Sequence, residues 1–242
     1  MIIVISILAF LFTILGGLFA LKFKDKLHLI LGFSAGAVIG VAFFDLIPEA
    51  IELGSGKYEI STITTVTAIG FIVYMILDRF IILHSHHDDS IDHNHSHMNR
   101  GKLGALSLSI HSLLDGIAIG LAFQVSSAVG LIVTFAVLTH DFSDGINTVN
   151  MILKNNGEKK QAMKWLLTDA IAPVIGIIST LFFTLSESSL GIILAIFAGF
   201  FLYIGASDLL PESHHNHPTI WTSFLTVVGM IVIYTAVNLA GV

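Results

Sequence analysis

The chain has 242 residues, of which 55% are hydrophobic and only 12% are charged, and its formal net charge is −6. A water-soluble domain carries about a quarter of its residues as Asp, Glu, Lys or Arg, so this composition excludes an ordinary soluble globule. The sequence has no basic patch with interleaved aromatic residues, which argues against nucleic-acid binding, and no cysteine, which excludes disulfides and thiolate metal ligands.

Eight apolar segments follow one another along the chain, and each is long enough to cross roughly 30 Å of hydrocarbon as a helix. The first segment lacks the basic start of a cleaved signal peptide, so we expect it to be a retained membrane helix. The connections are short, and we predict an all-α fold with one transmembrane domain over residues 1–242. The predicted helices cover residues 2–21, 28–48, 62–83, 103–123, 127–153, 165–185, 189–210 and 219–240.

Positive charge falls on one side of this arrangement. The odd-numbered connections carry ten of the eleven Lys and Arg residues, and only Lys57 lies on the other side. Because cytoplasmic loops are enriched in Lys and Arg, we predict that the odd-numbered connections are cytoplasmic. An even number of helices then places both termini on the extracytoplasmic side.

Two histidine clusters lie on the predicted cytoplasmic side. Histidines mixed with aspartates bind transition metals without fixed geometry, so we expect metal capture at the inner face. The alternative is a solvated loop with no binding role. The clusters are His84, His86, His87, His93, His95 and His97 in the predicted loop 84–99, and His214, His215 and His217 after helix 7.

Two short motifs each occur twice. Residues 45–49 read Asp-Leu-Ile-Pro-Glu and residues 208–212 read Asp-Leu-Leu-Pro-Glu, while the pattern His-x-x-x-Asp-Gly-Ile occurs at 111–117 and again at 140–146. In the predicted topology the two copies of each motif cross the membrane in opposite directions. This is the pattern of an inverted-topology repeat, which in transporters places the binding site near the middle of the bilayer.

Helices 4 and 5 carry acids and imidazoles well inside their apolar runs. His111 and Asp115 are four positions apart, as are His140 and Asp144, and Asp141 lies three positions before Asp144. Residues three or four apart share one face of a helix. Each ionised carboxylate near the bilayer centre costs roughly 2.5–3.5 kcal/mol, and no Lys or Arg lies at matching depth.

A bound divalent cation would neutralise these converging acids. Imidazole and carboxylate ligands suit Zn²⁺, Fe²⁺, Mn²⁺ or Cd²⁺, whereas Mg²⁺ and Ca²⁺ prefer oxygen ligands. The alternative reading of the same residues is an interhelical hydrogen-bond network or a proton relay. The predicted metal ligands are His111, Asp115, His140, Asp141 and Asp144, with Ser112 and Asp169 as accessory candidates.

At these motifs the sequence resembles the ZIP (Zrt/Irt-like) family of metal transporters, of prokaryotic type. The resemblance rests on residues 35–49 in helix 2, 111–120 in helix 4, 140–145 in helix 5, and 201–203 with 210–212 in helix 7. It implies helices 1–3 and 6–8 related by an inverted repeat around helices 4 and 5 (3+2+3), both termini outside, import toward the cytoplasm, and a homodimer. Ser112 departs from the Asn frequent in the family, and Ala172-Pro173 departs from its Glu-Pro. The resemblance therefore implies a second metal site only if Asp169 replaces the missing ligand.

We therefore expect a multi-pass protein of the plasma membrane that carries divalent transition-metal ions, Zn²⁺ above all, into the cytoplasm. Fe²⁺, Mn²⁺ and Cd²⁺ are further candidates, the ion is cargo rather than cofactor, and no enzymatic activity is expected. One alternative is an intramembrane zinc-dependent hydrolase, in which the metal would activate water. Another is a metal sensor, although the sequence offers no soluble output domain.

Overall fold

The computed structural model describes residues 1–21, 27–86, 93–215 and 219–241, and their side chains except those of residues 27–28, 80–86, 93–100 and 214–215. In this part of the chain the backbone forms helices joined by short turns and no β-strand, which confirms the predicted all-α fold. Eight of the described helices are long and apolar enough to cross a membrane, as predicted.

We number these helices α1 to α8. Five of them are α-helical throughout: α1 (Ile2–Ala20), α3 (Ile60–His86), α4 (His93–Val125), α5 (Ser127–Lys154) and α8 (Ile220–Ala240). The other three are composite. They are α2 (Leu27–Val41, a π-helical turn at Ala42–Leu46, and Ile47–Gly54), α6 (Lys159–Ser179 and a 3-10 turn at Thr180–Phe182) and α7 (Glu187–Tyr203, a π-helical turn at Ile204–Leu209, and Leu210–His215).

The predicted ends of helices 2 and 7 are wrong, because both helices continue past their prolines to residues 54 and 215. Proline lacks an N–H, and its ring clashes with the carbonyl four residues earlier, so it normally breaks a helix. Here a π-helical turn lies just before Pro48 and another just before Pro211. The wider turn, with hydrogen bonds between residues five apart, accommodates the ring without ending the helix.

The predicted ends of helices 3, 4 and 6 also need correction. α3 and α4 extend into the segment 84–99 that was predicted to be a loop, and residues 87–92 of it lie outside the described residues. Hydropathy marks where a helix leaves the membrane, whereas the described helices continue beyond that point because no Gly or Pro interrupts residues 84–86 or 93–99. α6 likewise begins six residues earlier than predicted, at a capping box formed by Glu158 and Gln161.

The helices pack in two groups of four. One group contains α1, α4, α5 and α6, and the other contains α2, α3, α7 and α8. The most extensive contacts pair α2 with α7 and with α8, α4 with α5 and with α6, α1 with α5, and α3 with α7, always within one group. α5 is the most buried of the eight helices and also contacts α2 and α8 across the boundary, so the centre of the molecule lies along α5.

Glycines bring α4 and α5, which carry the predicted ligands, very close to their partner helices. A Cβ atom on Gly145 of α5 would collide with the carbonyl oxygen of Thr13 on α1, and one on Gly116 of α4 with the carbonyl oxygen of Pro173 on α6. Small residues are the usual means by which membrane helices approach backbone to backbone. These contacts fix the depth of α4 and α5 relative to α6 and α1.

Candidate metal centre

Four of the predicted ligands converge where α4 and α5 cross. His111 and Asp115 lie one turn apart on α4, and His140 and Asp144 lie one turn apart on α5. Each of the four residues is buried. One nitrogen or oxygen atom from each residue lies within 4.8 Å of the corresponding atoms of the other three, a spread small enough for all four to hold one ion.

Three of the six distances between these atoms are close to those of a tetrahedral zinc site. Asp115 Oδ2 lies 3.1 Å from His111 Nε2 and 3.1 Å from His140 Nε2, and Asp144 Oδ2 lies 3.4 Å from His111 Nε2. Ligands bound tetrahedrally to Zn²⁺ at about 2.0 Å are separated from one another by roughly 3.3 Å. For these three pairs, a bound cation needs little movement of the side chains.

The hydrogen bond at the other ring nitrogen determines the tautomer of His140. His140 Nδ1 lies 3.0 Å from the carbonyl oxygen of Ala136, which can only accept, so Nδ1 carries the proton. In the neutral imidazole, Nε2 then offers a lone pair, and it faces Asp115 Oδ2, a second acceptor, at 3.1 Å. Two acceptors at this distance require a proton or a metal ion between them.

The other imidazole also has a partner at each nitrogen. His111 Nδ1 lies 2.6 Å from the hydroxyl oxygen of Tyr74 on α3, while Nε2 faces the acids. Histidines that bind metal usually use their second nitrogen in this way. Sequence reasoning missed Tyr74, because it precedes His111 by 37 positions on another helix and belongs to no repeated motif.

Asp141, the fifth predicted ligand, is completely buried but is not part of the four-residue cluster. Neither of its carboxylate oxygens has a hydrogen-bond partner among the described residues. A buried carboxylate without a donor is costly unless it is protonated or near a cation. Its role as a ligand stays a prediction.

The two accessory candidates are hydrogen-bonded within the protein. Asp169 is fully buried, and its Oδ1 accepts a hydrogen bond from the Ser112 hydroxyl at 2.8 Å. Its Oδ2 accepts one from the Thr148 hydroxyl at 2.9 Å. This network joins α4, α5 and α6 beside the cluster, and neither Ser112 nor Asp169 is one of its four members.

Within the described part of the chain, the ion pairs of the cluster acids involve only imidazoles and no Lys or Arg. The positive charge that balances them in the folded protein must therefore come from protons or from a bound cation. This is the situation that the sequence predicted for the middle of the membrane.

A cavity of about 430 Å³ leads away from the cluster. His111 and Asp144 of the cluster line it, and its wall is rich in carboxylates from α3 and α7. Asn147 donates to Glu212 at 3.1 Å, and Tyr203 donates to Asp78 at 2.9 Å. The polar lining residues are Tyr74, Asp78, Ser107, His111, Asp144, Asn147, Asn155, Ser207, Asp208 and Glu212.

Asp45, the acid of the first repeated motif, lies outside this cavity. It is 3% exposed, and neither carboxylate oxygen has a hydrogen-bond partner in the described structure. The side chains of the two histidine clusters, at 84–97 and 214–217, lie outside the described residues, so their role as a capture site stays a prediction.

The chain is similar in sequence to a known family of membrane proteins. The family model described as "ZIP Zinc transporter" matches residues 1–107 and 84–234 of the chain. The chain is 24% identical to "Zinc transporter YKE4" of Saccharomyces cerevisiae, over 78% of this chain and 62% of the yeast protein. It is 28% identical to "Zinc transporter ZIP9" of Micropogonias undulatus, over 70% of this chain and 60% of that protein.

A third relative is "Zinc transporter ZIP13" of Pongo abelii, which is 26% identical over 76% of this chain and 57% of that protein. These three matches span between 57% and 62% of the relatives' own lengths, because the relatives contain further sequence.

Proposed function

The chain belongs to the ZIP zinc transporter family, and from this premise we propose that it carries divalent transition-metal ions, Zn²⁺ above all, across a membrane into the cytoplasm. The binding site is the cluster on α4 and α5, with Asp141 as a fifth ligand. The observation that carries this proposal is the 3.1 Å contact between His140 Nε2 and Asp115 Oδ2, two groups that both present lone pairs.

The donor set supports the choice of ion. Two imidazoles and two carboxylates form a mixed nitrogen and oxygen shell, which suits Zn²⁺, Fe²⁺, Mn²⁺ and Cd²⁺. Mg²⁺ gives up its water reluctantly and prefers oxygen ligands, so it should compete poorly. The relatives named above are zinc transporters, which favours Zn²⁺ within the group.

The cavity supports a release route. It runs from His111 and Asp144 to the end of the molecule that carries Asn155 and Glu212. That end also carries the lysines at 154, 159 and 160, and it is cytoplasmic in our topology. Asp78 and Asp208 on its wall give a departing cation a negative environment.

The helix pairing supports the inverted repeat. The proposed repeat relates α1 to α6, α2 to α7, α3 to α8 and α4 to α5. Under these equivalences, the pair α1–α5 corresponds to the pair α6–α4. The pair α2–α8 corresponds to the pair α7–α3. All four pairs are among the most extensive contacts of the molecule. The proposed homodimer and the plasma-membrane location rest on the family resemblance.

The experiment is metal uptake by purified protein in liposomes. We expect ⁶⁵Zn²⁺ uptake by the wild type, competition by Fe²⁺, Mn²⁺ and Cd²⁺, and loss of uptake in Asp144→Ala. Glu59→Gln, an exposed acid outside the cluster, is the control for removal of a carboxylate. If a correctly folded Asp144→Ala variant takes up zinc at the wild-type rate, the proposed site is wrong.

The same liposomes separate transport from the hydrolase that the sequence left open. Family membership argues against the enzyme, since the relatives are named as transporters. Turnover of lipid or peptide without metal flux would nevertheless favour it, and flux without turnover supports transport.

A further inference from the structure

His111 is held from two directions by different helices. Nε2 faces the carboxylates of Asp115 and Asp144, and Nδ1 lies 2.6 Å from the hydroxyl oxygen of Tyr74. At this distance the contact is a short hydrogen bond. Tyr74 is the partner of Nδ1, the nitrogen that does not face the cluster.

The ring of Tyr74 packs against two aromatic rings of α7. Its ring centroid lies 5.2 Å from that of Phe200 and 5.5 Å from that of Tyr203, both on α7. Its ring meets the imidazole of His111 edge-on, with centroids 6.0 Å apart. Tyr74 therefore belongs to the group α2, α3, α7 and α8, whereas His111 belongs to the other group.

The contact between Tyr74 and His111 bears on which nitrogen of the imidazole carries the proton. A neutral imidazole has a single N–H. If Nδ1 carries it, the N–H donates to Tyr74, and the lone pair of Nε2 points at the cluster. If Nε2 carries it, the N–H donates to the acids, the tyrosine hydroxyl donates to Nδ1, and no lone pair is available for a metal ion.

We propose that Tyr74 is a positioning residue for the transported ion: its hydroxyl oxygen accepts the Nδ1 proton of His111 and so keeps Nε2 directed at the cation. This inference rests on the proposed function, since it assigns His111 as a ligand. It adds a residue from outside the ligand helices and outside every motif that identified the site. His140 needs no such side chain, because the Ala136 carbonyl performs this role within α5.

The first test compares zinc affinity in purified Tyr74→Phe and wild-type protein, measured by competition with a chelating dye. Loss of an outer partner of a ligand lowers metal affinity about 10- to 100-fold, and we expect that range here. The matched control is Tyr234→Phe on α8, which removes a hydroxyl from an exposed tyrosine whose ring contacts Phe44. Unchanged affinity in Tyr74→Phe would overturn the proposal.

The second test reads the tautomer directly, and its wild-type measurement does not depend on the folding of a variant. In ¹⁵N-histidine-labelled, zinc-loaded wild type, we expect His111 to show the pattern of protonated Nδ1 and metal-bound Nε2. In Tyr74→Phe the His111 signals should change, while those of His140 should not. A wild-type His111 protonated at Nε2 in the presence of zinc would overturn the proposal.

A third variant separates this inference from the proposed function. If His111→Ala retains wild-type zinc affinity and uptake, the assignment of His111 as a ligand fails, and the role of Tyr74 fails with it. If His111→Ala abolishes binding but Tyr74→Phe has no effect on affinity or tautomer, only the role of Tyr74 fails.

Discussion

Asp115 Oδ2 lies 3.1 Å from Nε2 of His140, across the contact between α4 and α5. Both atoms present lone pairs when the acid is ionised and the imidazole is neutral. The pair is therefore favourable with a cation between the two atoms and unfavourable without one. Replacing one of these two groups should therefore stabilise the ion-free protein and weaken the binding of the ion.

Asp115→Asn should lower zinc affinity more than about 10-fold, since it changes a ligand and not merely an outer partner. The ion-free variant should be at least as stable as the wild type, because the new amide can donate an N–H to His140 Nε2. Thermal unfolding in detergent, with and without zinc, measures both effects: zinc should raise the unfolding temperature of the wild type and hardly that of the variant. A variant stabilised by zinc as strongly as the wild type would contradict the site.

Asp141→Asn tests the fifth predicted ligand. The buried carboxylate has no hydrogen-bond partner among the described residues, so we expect the substitution to raise ion-free stability and to lower zinc affinity. Ser143→Ala is the matched control, because it removes a buried hydroxyl that likewise has no partner in the described structure and carries no charge. If Asp141→Asn gains stability but binds zinc as the wild type does, Asp141 is not a ligand.

Thr148→Val should destabilise the protein without reducing zinc affinity. It removes the donor to Asp169 Oδ2 and leaves a buried acceptor unsatisfied, at a cost of about 1–3 kcal/mol. Thr168→Val, at an exposed position on the same helix as Asp169, should have little effect. The readouts are the unfolding temperature and the zinc affinity of each variant. A large loss of zinc affinity in Thr148→Val would instead place the Asp169 network within the metal site.

Gly145→Ala should destabilise the contact between α1 and α5. The added methyl group would collide with the backbone carbonyl of Thr13, and overpacking of this kind costs about 1–3 kcal/mol. Gly56→Ala is the control, because a Cβ there would have no heavy atom within 4 Å. Equal unfolding temperatures for the two variants would argue against the close approach of α1 and α5.

The topology can be tested by single cysteines, because the chain has none of its own. Ser55→Cys and Lys160→Cys place thiols at exposed positions on opposite sides of the predicted membrane. In intact cells, a thiol reagent that does not cross membranes should label the first variant and should label the second only after permeabilisation. The reverse pattern would invert the proposed direction of every helix.

The eight helices and the clustering of four acidic and imidazole side chains could be predicted from the sequence for simple physical reasons. Long apolar runs are the strongest local signal in a membrane protein, and a spacing of four places His111 beside Asp115 and His140 beside Asp144 on any α-helix. The sequence predicts that the two pairs face each other because acids inside the membrane need a cation to balance their charge.

Contacts between distant segments could not be predicted in this way. Tyr74 reaches His111 only because α3 packs beside α4, and nothing in its local sequence indicates a polar partner. Asp169 is predicted as an accessory ligand, which stays a prediction, and the sequence does not indicate that its oxygens accept hydrogen bonds from Ser112 and Thr148 on two other helices. Each of these relationships depends on how helices rotate about their axes, which a single sequence does not specify.

The π-helical turns in α2 and α7 change the helix face on which the residues after each turn lie. Each turn contains one residue more than regular spacing allows, so the residues beyond it are rotated by about 100° from the face that continuous α-periodicity would assign. A helical wheel drawn straight through residues 42–46 or 204–209 therefore misassigns Glu49 and Glu212. Deleting a single residue within either turn would restore regular winding and leave the acid that follows facing the neighbour it already has.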